Sequence, residues 1–283
     1  MNTAVVVINW ESGGLLQRCI ESLLATTAGV EILIIDNNSR DSSVDFITDF
    51  RGRFRYIGNG GNHGFAAAVN QGFKETSAPY VLILNPDVQV LPGAVQSLED
   101  FMESHPWAGA AGGYVGDKYL PKPFPTVGSL IRENLGLASP AGRGRRVAAA
   151  EPIQVDQPAA AALIIRREAY EHTGPFDEQF YPAWYEDVDY CLRMKEWCGW
   201  KIYFVPAAEF IHTGGYSAEA LGSDKFLRAY YHNQVRFAQK HLGTPGTIAI
   251  RASMAAGVIG RVIGKPRWAI PYMKVLIGAL FGW

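Results

Sequence analysis

The chain of 283 residues contains little cysteine. Cys19, Cys191 and Cys198 form no C-x-x-C pair, and their odd number leaves no complete set of disulfide partners. A disulfide-stapled secreted fold is therefore not expected, and a reducing, cytosolic compartment is favoured. Cys191 and Cys198 lie in a stretch of helical character, which predicts packing positions for both side chains.

Long apolar runs are missing as well. No run reaches the roughly 18 residues that a membrane-spanning helix needs. The first residues, MNTAVVVINW, lack the basic start and the cleavage site of a secretory signal peptide, and we expect a buried strand there. With 48% hydrophobic and 12% aromatic residues, the chain can bury a large core, so extensive disorder is excluded.

Acidic residues are absent from the last part of the chain. Between Lys225 and Trp283 there is no Asp or Glu, but there are nine Lys and Arg residues. The preceding residues hold the other 17 of the 26 basic residues and all 27 acidic ones, a formal net charge of −10. This asymmetry suggests an anionic partner for the basic tail.

The first hundred residues alternate between strand and helix patterns. Continuous apolar runs predict buried strands at Thr3–Ile8, Val30–Ile35 and Tyr80–Leu84, with a further strand at Phe54–Ile57. Apolar residues at helical spacing predict helices between them, and Pro92 is expected in the first turn of another helix. This alternation predicts an α/β fold with a Rossmann-like, mainly parallel sheet flanked by helices.

The regular pattern fades between Tyr114 and Pro158. Three prolines between residues 121 and 125, and the basic run RGRR at residues 143–146, predict a long, mobile surface segment. Strands are expected again at Ala160–Ile165 and Lys201–Val205, with a helix between them that ends at a glycine.

Polar side chains follow the predicted strands at their carboxyl ends, which is where open α/β sheets bind ligands. They are Asn9, Trp10, Glu11, Asp36, Asn85 and Asp87. Asp87, in ILNPDVQV, has no Lys or Arg close in sequence. It is either a cap of the Asn-Pro turn or a carboxylate that binds a metal ion. The convergence of polar residues at one edge favours the metal.

A second acidic cluster, Glu186, Asp187 and Asp189, opens a predicted helix. One explanation is structural, since negative charge at a helix N-terminus is favourable by about 0.3–1 kcal/mol. The aromatic residues just before the cluster instead favour the wall of a pocket, where adjacent carboxylates about 100° apart can serve different partners. His212, before a Gly-Gly pair, is either a structural histidine or a further ligand of the metal ion.

Six segments between about residues 3 and 217 occur in a characteristic order. They are VVVINWESGGLLQRCIESL, ILIIDNNSRD, GNHGFAAAVNQG, LILNPDV, AALIIRREAYEHTGPFDEQFYPAWYEDVDYCLRMK and VPAAEFIHTGGYS. In this order they resemble family 2 inverting glycosyltransferases of the GT-A fold, particularly the bacterial rhamnosyltransferase-like branch. Several such motifs in the family's order are far more specific than any one of them.

The resemblance implies a role for each matching residue. The implied donor-nucleotide site consists of Asn9, Glu11, Asp36, Asn62, Phe65 and Asn85. Asp87 and His212 would bind a divalent cation, Mn²⁺ or Mg²⁺, and Asp187 would be the catalytic base with Glu186 orienting the acceptor. Asn85 stands at the first position of the family's Asp-x-Asp motif. Glu11 and Ala68 occupy positions where relatives often have Asn and Arg.

The implied activity is metal-dependent inverting transfer of a sugar from a nucleoside diphosphate to a hydroxyl group. The expected donor is dTDP-rhamnose, with a UDP-sugar next, and the expected acceptor is a saccharide or a polyprenyl-linked saccharide in cell-surface polysaccharide synthesis. The alternatives are an inactive sugar-nucleotide-binding subunit and a sugar nucleotidyltransferase. The latter normally has a basic Gly-rich loop after the first strand, whereas NWESGG has no Lys or Arg. No G-x-G-x-x-G follows that strand either, so a Rossmann dehydrogenase is disfavoured.

We expect residues 1–240 to form the GT-A domain and residues 241–283 a basic, amphipathic helical extension. Apolar residues recur there at helical spacing among basic residues, and aromatic residues follow. They are Ile248, Ala252, Ala255, Ile259, Trp268, Tyr272, Phe281 and Trp283. This pattern predicts peripheral contact with anionic lipid at the inner face of the cell membrane. The alternatives are a packing helix or a homodimer contact, and no nucleic-acid partner is expected.

Overall fold

The computed structural model describes residues 2–50, 52–137, 151–264 and 269–283. The strands are β1 Thr3–Asn9, β2 Glu31–Asp36, β3 Arg55–Gly58, β4 Tyr80–Leu84, β5 Val88–Val90, β6 Ala108–Tyr114, β7 Ile153–Gln154, β8 Ala162–Arg166 and β9 Lys201–His212. The α-helices are α1 Leu15–Thr26, α2 Phe65–Glu75, α3 Ala94–Ser104, α4 Val127–Asn134, α5 Arg167–Thr173, α6 Glu186–Leu192, α7 Tyr216–Leu221, α8 Ser223–His241, α9 Gly243–Gly264 and α10 Ala269–Phe281.

A single mixed sheet runs through the fold in the order β3-β2-β1-β4-β8-β6-β9-β5, and β7 pairs with β9. The first four strands in that order are mutually parallel, as the sequence predicts. By contrast, β8 is antiparallel to β4 and β6, and β5 is antiparallel to β9. The predicted α/β fold with a helix-flanked sheet is confirmed, with antiparallel pairs in its second half.

Alternate residues of β1 explain the two faces of this sheet. Val5 and Val7 pack with α1 and α3 in one hydrophobic cluster. Val6 and Ile8 pack with α2 and α6 in the other. Because both faces are covered, the strand has to be apolar throughout. This leaves Asn9, at its carboxyl end, as a polar residue facing the site.

Two predicted boundaries are wrong for identifiable reasons. The strand expected at Lys201–Val205 continues to His212, past a register shift that accommodates Pro206. Proline is normally excluded from a central strand, so the predicted strand ended just before Pro206, seven residues short of the observed end. Pro92 is not in a first helical turn, because Gly93 follows it in a left-handed conformation (φ 80°) and α3 begins only at Ala94.

The predicted mobile segment between Tyr114 and Pro158 contains regular structure. A 3-10 turn spans Asp117–Tyr119, and α4 begins at a reciprocal capping box. In it Ser129 N donates to Thr126 Oγ1 (3.1 Å) and Thr126 N donates to Ser129 Oγ (2.8 Å). The prolines that precede this cap concealed the helix. The basic run at residues 143–146 lies outside the described residues.

The C-terminal helices pack on the rest of the protein. Residues of α4, α8, α9 and α10 form a third hydrophobic cluster. At its tightest point α9 touches α4, where a methyl group on Gly257 would collide with the carbonyl oxygen of Asn134. Asn134 Nδ2 also donates to Ser253 Oγ (3.1 Å). The predicted boundary at 240/241 falls at the end of α8 and stays a prediction.

Many of the tail's basic residues are engaged within the chain. Arg236, Arg251 and Arg261 donate to backbone carbonyl groups, and Lys240 and Lys274 pair with aspartates. Lys265, Arg267 and Trp268 lie outside the described residues. In the part that is described, no helix is both long and apolar enough to cross a membrane.

Candidate active site

A cavity of about 680 Å³ lies at the carboxyl ends of β1 and β4 and extends to α4, α6 and α8. Seven of the ten predicted site residues line it: Asn9, Asn62, Phe65, Asn85, Glu186, Asp187 and His212. The other three, Glu11, Asp36 and Asp87, are placed behind or beside this wall. The structure therefore brings residues from distant parts of the sequence to one site.

Asn9 and Asp36 are register partners at the ends of β1 and β2, and both are buried. Asn9 Nδ2 donates to Asp36 Oδ1 (2.7 Å), while Ser39 donates to both oxygens, from Oγ (2.6 Å) and from its backbone N (3.0 Å). Asp36 thus orients Asn9 from behind the cavity wall. Its place in the donor-nucleotide site stays a prediction.

Glu11 adopts a left-handed backbone conformation (φ 50°) just after β1. Its Oε1 accepts a hydrogen bond from Arg40 N (3.0 Å), and its backbone N donates to Ser39 Oγ (2.8 Å). These bonds fasten the loops after β1 and β2 to each other. They leave the side chain outside the cavity lining, so its predicted role in donor binding also stays a prediction.

The loop before α2 is joined to the segment before α6. Asn62 Oδ1 accepts from Gly64 N (2.9 Å), and Phe65 N donates to Pro182 O (2.8 Å). Gly64 has φ 88°, and a Cβ there would lie 3.0 Å from the Tyr181 ring and 3.1 Å from Pro182 O. Glycine is favoured at this position, since a side chain would strain the left-handed backbone and crowd both neighbours.

Asp87 and His212 form a close pair at the end of the sheet. His212 Nε2 lies 3.1 Å from Asp87 Oδ1, with side-chain exposures of 9% and 8%. Gly214 N donates to Asp87 Oδ2 (3.1 Å), and pairing of β5 with β9 places His212 opposite Val88. The predicted turn exists too, since Val88 N donates to Asn85 O (3.3 Å). Asp87 therefore has partners that its neighbours in sequence did not reveal.

Asp87 and His212 supply two ligands suited to a divalent cation whose remaining ligands come from outside the protein. His212 Nδ1 is buried without a hydrogen-bond partner among the described residues. Within the described ranges no group of three or more His, Cys, Asp and Glu residues could hold a metal ion. A cation bound by one carboxylate and one imidazole would thus need oxygens from a substrate or from water, as is usual for Mg²⁺ at phosphate sites.

Glu186 and Asp187 open α6 at the cavity wall, as predicted. Burial raises the pKa of Glu186 well above its usual value, and the charge of Asp187 adds to this; its Oε2 has no described hydrogen-bond partner. Burial also raises the pKa of Asp187, opposed by a hydrogen bond from Val188 N (2.8 Å) and by the charge of Lys122. Glu186 is suited to donate a proton in a hydrogen bond, and Asp187 to accept one.

The third acid of the cluster, Asp189, points away from the cavity into an ion-pair network. Its carboxylate contacts Arg193 Nε (2.9 Å), Lys240 Nζ (2.8 Å) and His241 Nε2 (2.7 Å). Burial alone would raise the pKa of Asp189, but the hydrogen bonds from His241 and Lys240 outweigh it, so the pKa is lowered. Asp189 therefore fastens α6 to α8, which divides the cluster into two site residues and one structural residue.

The sequence indicates aromatic residues before the acids, but it gives no signal of their backbone conformation or of their partners on α8. Trp184 (φ 76°) and Tyr185 (φ 74°) are held in left-handed conformations immediately before α6. Asn233 Nδ2 of α8 donates to Ala183 O (2.9 Å) and Trp184 O (3.2 Å), and Gln234 Nε2 donates to Tyr185 OH (3.0 Å). Helix α8 thus fixes the start of α6 through partners about 50 residues distant in the chain.

Comparison with known proteins finds a family profile and named relatives that match this chain. The glycosyl transferase family 2 profile matches residues 4–174, which ends before α6. The N-acetylglucosaminyl-diphospho-decaprenol L-rhamnosyltransferase of Mycobacterium tuberculosis (strain H37Rv) is 29% identical over 281 residues, covering 89% of this chain and 90% of that protein. Rhamnosyltransferase WbbL of Escherichia coli (strain K12) is 22% identical over 239 residues, covering 78% and 87%.

The fold is shared with a solved mannosyltransferase of Pyrobaculum calidifontis, PcManGT, in complex with GDP-Man and Mn²⁺. The two chains superpose with a TM-score of 0.63 at 10% identity, covering 99% of this chain and 86% of the other. At that identity the likeness concerns the fold alone. The profile match spans more than half of the chain. The chain therefore belongs to glycosyl transferase family 2, in a rhamnosyltransferase-like branch, and is a glycosyltransferase of the GT-A fold.

Proposed function

We propose that the protein is a metal-dependent inverting glycosyltransferase that moves rhamnose from dTDP-rhamnose to a hydroxyl of a lipid-linked saccharide in cell-surface polysaccharide synthesis. The observation that carries the proposal is the single cavity shared by His212, the Asn62–Phe65 loop and the Glu186–Asp187 pair. The named specificity of the mycobacterial relative, with a rhamnose donor and a diphospho-decaprenol acceptor, supports the two substrate classes.

Asp87 and His212 are the residues that would hold a divalent cation, Mn²⁺ or Mg²⁺. The Mn²⁺ in the mannosyltransferase of the same fold supports this choice. Such an ion, when bound, offsets the negative charge that develops on a leaving nucleoside diphosphate. The pair sits at the ends of β4 and β9, beside the loop that carries Asn62, so the donor and the cation would share one side of the cavity.

Asp187 accepts the proton of the acceptor hydroxyl as its oxygen bonds to the anomeric carbon and the bond from that carbon to the diphosphate breaks. General-base catalysis of this kind contributes typically about 10²–10⁴-fold. Burial favours the protonated form of Glu186, which donates a hydrogen bond that orients the acceptor. One displacement on the face opposite the leaving group inverts the anomeric configuration.

The test is calorimetric titration with dTDP, UDP, GDP and ADP, with and without Mn²⁺. We expect dTDP to bind most tightly, only with the metal, and at least tenfold more weakly to Asp87→Ala, which loses a charged ligand. Asp49→Ala, an exposed carboxylate in the 3-10 turn Ser42–Phe50, is the matched control and should bind as the wild type does. Metal-independent binding that Asp87→Ala leaves unchanged would contradict the proposed site.

Hydrolysis of dTDP-rhamnose separates this proposal from an inactive binding subunit. Transferases release the sugar slowly to water when no acceptor is present, so the wild type should show metal-dependent turnover that Asp87→Ala lacks. Binding without any turnover, by itself or with acceptor, would favour the inactive subunit.

We infer in addition that the protein works in the cytoplasm at the inner membrane surface, through an apolar face of α10. Ile270, Met273, Ile277, Leu280 and Phe281 are 46–83% exposed and recur every three or four residues. On α9, Ile248 and Ile259 of the predicted stripe are exposed as well. Because much of the tail's basic charge is engaged within the chain, the contact would rest on apolar side chains more than on charge.

Sedimentation with phospholipid vesicles tests this surface. Wild-type protein should bind and resist release by salt, whereas Ile277→Glu should lose most of the binding because it places a charge in the apolar face. Gln239→Glu, an exposed change on α8, adds the same charge elsewhere and should bind normally. If Ile277→Glu instead dissociates a dimer and leaves vesicle binding intact, the face is a homodimer contact.

A further inference from the structure

The cavity wall is poor in positive charge. Its described residues include three carboxylates, on Glu133, Glu186 and Asp187, whereas Lys122 is the one Lys or Arg among them. Ala68 is fully buried in the core and contributes no charge. An anionic group that enters this cavity beside Asp187 therefore meets a single cationic side chain from the described residues.

Lys122 stands on a fixed backbone. Lys122 N donates to Gln157 O (3.1 Å), Gln157 Nε2 donates to Pro123 O (3.0 Å), and Phe124 N donates to Asp156 Oδ2 (3.1 Å). Prolines 121, 123 and 125 flank these bonds and restrict the backbone further, since each fixes its own φ. The proline segment, expected to be mobile, thus presents its lysine at a defined position.

The ammonium group of Lys122 is available to a ligand. The side chain is exposed, and no carboxylate of the described chain lies within 4 Å to form an ion pair. Its charge still acts on Asp187, where it opposes the rise in pKa caused by burial. Lys122 therefore belongs to the side of the cavity where the base meets the acceptor.

The cavity wall that includes Lys122 also carries apolar side chains. Phe124, Pro125 and Leu130 line the cavity beyond it, and Leu221 and Tyr230 line it from α7 and α8. A cation next to an apolar wall matches a ligand that joins a phosphate to a hydrocarbon chain. A monosaccharide carries its hydroxyl groups and its anomeric phosphate on one ring, so one acceptor can meet Asp187 and Lys122 together.

We propose that Lys122 binds the diphosphate group of the lipid-linked acceptor and so selects acceptors that carry this charge. The inference rests on the proposed function and assigns a residue to its acceptor side. Because ammonium-to-phosphate contacts are charge-assisted, Lys122 contributes more than a neutral hydrogen bond does. The diphosphate of the donor has the same chemistry, and the experiment below separates the two sources.

The experiment compares two acceptors in steady-state kinetics with wild type, Lys122→Ala and Lys122→Arg. One acceptor is a monosaccharide linked through a diphosphate to a short prenyl chain, and the other is the same sugar as its octyl glycoside. We expect Lys122→Ala to raise KM for the diphosphate acceptor about tenfold or more and to leave KM for the octyl glycoside within about twofold. Lys122→Arg keeps the charge and should restore most of the affinity.

Measurements are made on the high-pH plateau of the rate, because loss of the positive charge also changes the proton affinity of Asp187. Lys118→Ala, an exposed lysine outside the cavity lining, is the control and should behave as wild type. Equal losses with both acceptors would overturn the proposal, as would a higher KM for the sugar donor with unchanged acceptor KM, which would assign Lys122 to the donor. Transfer by the wild type to either acceptor supports the proposed function, whatever the variants show. If the wild type transfers sugar to neither acceptor, the proposed function is overturned, and the assignment of Lys122 with it.

Discussion

Asp187→Asn should bind the sugar donor as wild type does and lose about 10²–10⁴-fold in kcat, the usual contribution of a general base. The amide has nearly the shape of the carboxylate and can still accept the bond from Val188 N, but it cannot take the acceptor proton. Initial rates of transfer and calorimetric titration of the nucleotide, on the same preparation, measure the two effects separately.

Glu186→Gln is the matched control for this change. Since burial favours the protonated form of Glu186, an amide at this position preserves the hydrogen-bond donor, and we expect only a few-fold loss in rate. The wild-type rate should also fall as pH decreases through the raised pKa of Asp187, above the range of an ordinary aspartate. Full activity in Asp187→Asn, or equal losses in both variants, would place the base elsewhere.

Asp189→Ala should lower the free energy of unfolding by about 3–5 kcal/mol, as expected when one partner of a buried ion pair is removed. The change leaves Arg193, Lys240 and His241 without the carboxylate that they share. Because the pKa of Asp189 is lowered in the folded protein, its stabilisation is present above the pKa of the unfolded chain and is lost as pH falls through the folded value. Urea unfolding at neutral and acid pH measures both effects.

Glu31→Ala provides the comparison for Asp189→Ala. Glu31 pairs with Arg55 (2.9 Å), but their side chains are 37% and 50% exposed, so this loss should cost only about 0.2–1 kcal/mol. If Asp189→Ala proves no more destabilising than Glu31→Ala, the contacts of Asp189 do not fasten α6 to α8.

Much of the site was predictable because the carboxyl ends of adjacent parallel strands lie at the same edge of the sheet. Asn9, Asp36 and Asn85 each follow an apolar run, and the strands β1, β2 and β4 are adjacent in the sheet. The start of α6 at Glu186 was equally predictable, since apolar residues at helical spacing follow the acids. In both cases a local pattern locates the residue in its strand or helix, and the topology of the fold then determines where that residue lies in space.

Other parts of the site depend on contacts between residues distant in sequence, which no local sequence pattern predicts. Lys122 reaches the cavity because its backbone pairs with Gln157, and Asn233 controls the start of α6 from another helix. The family resemblance assigned Asp87 and His212 to one cation, but the strand pattern alone did not bring them together, because His212 follows Pro206 in a strand that the pattern ended too early. Helix α4 was missed because its capping box follows a run of prolines. Only the folded chain makes these pairs neighbours.

The close packing of α9 on α4 at Gly257 bears on the construction of chimeras within the family. Helix α4 supplies Ser129, Leu130 and Glu133 to the cavity wall, and its backbone is in contact with α9. Exchanging the last helices with those of a relative therefore also changes the support of the cavity wall that α4 contributes. The two helices form one unit of exchange although about 110 residues separate them in sequence. Grafts that move α4 and α9 together should transfer acceptor preference more cleanly than grafts of the tail alone.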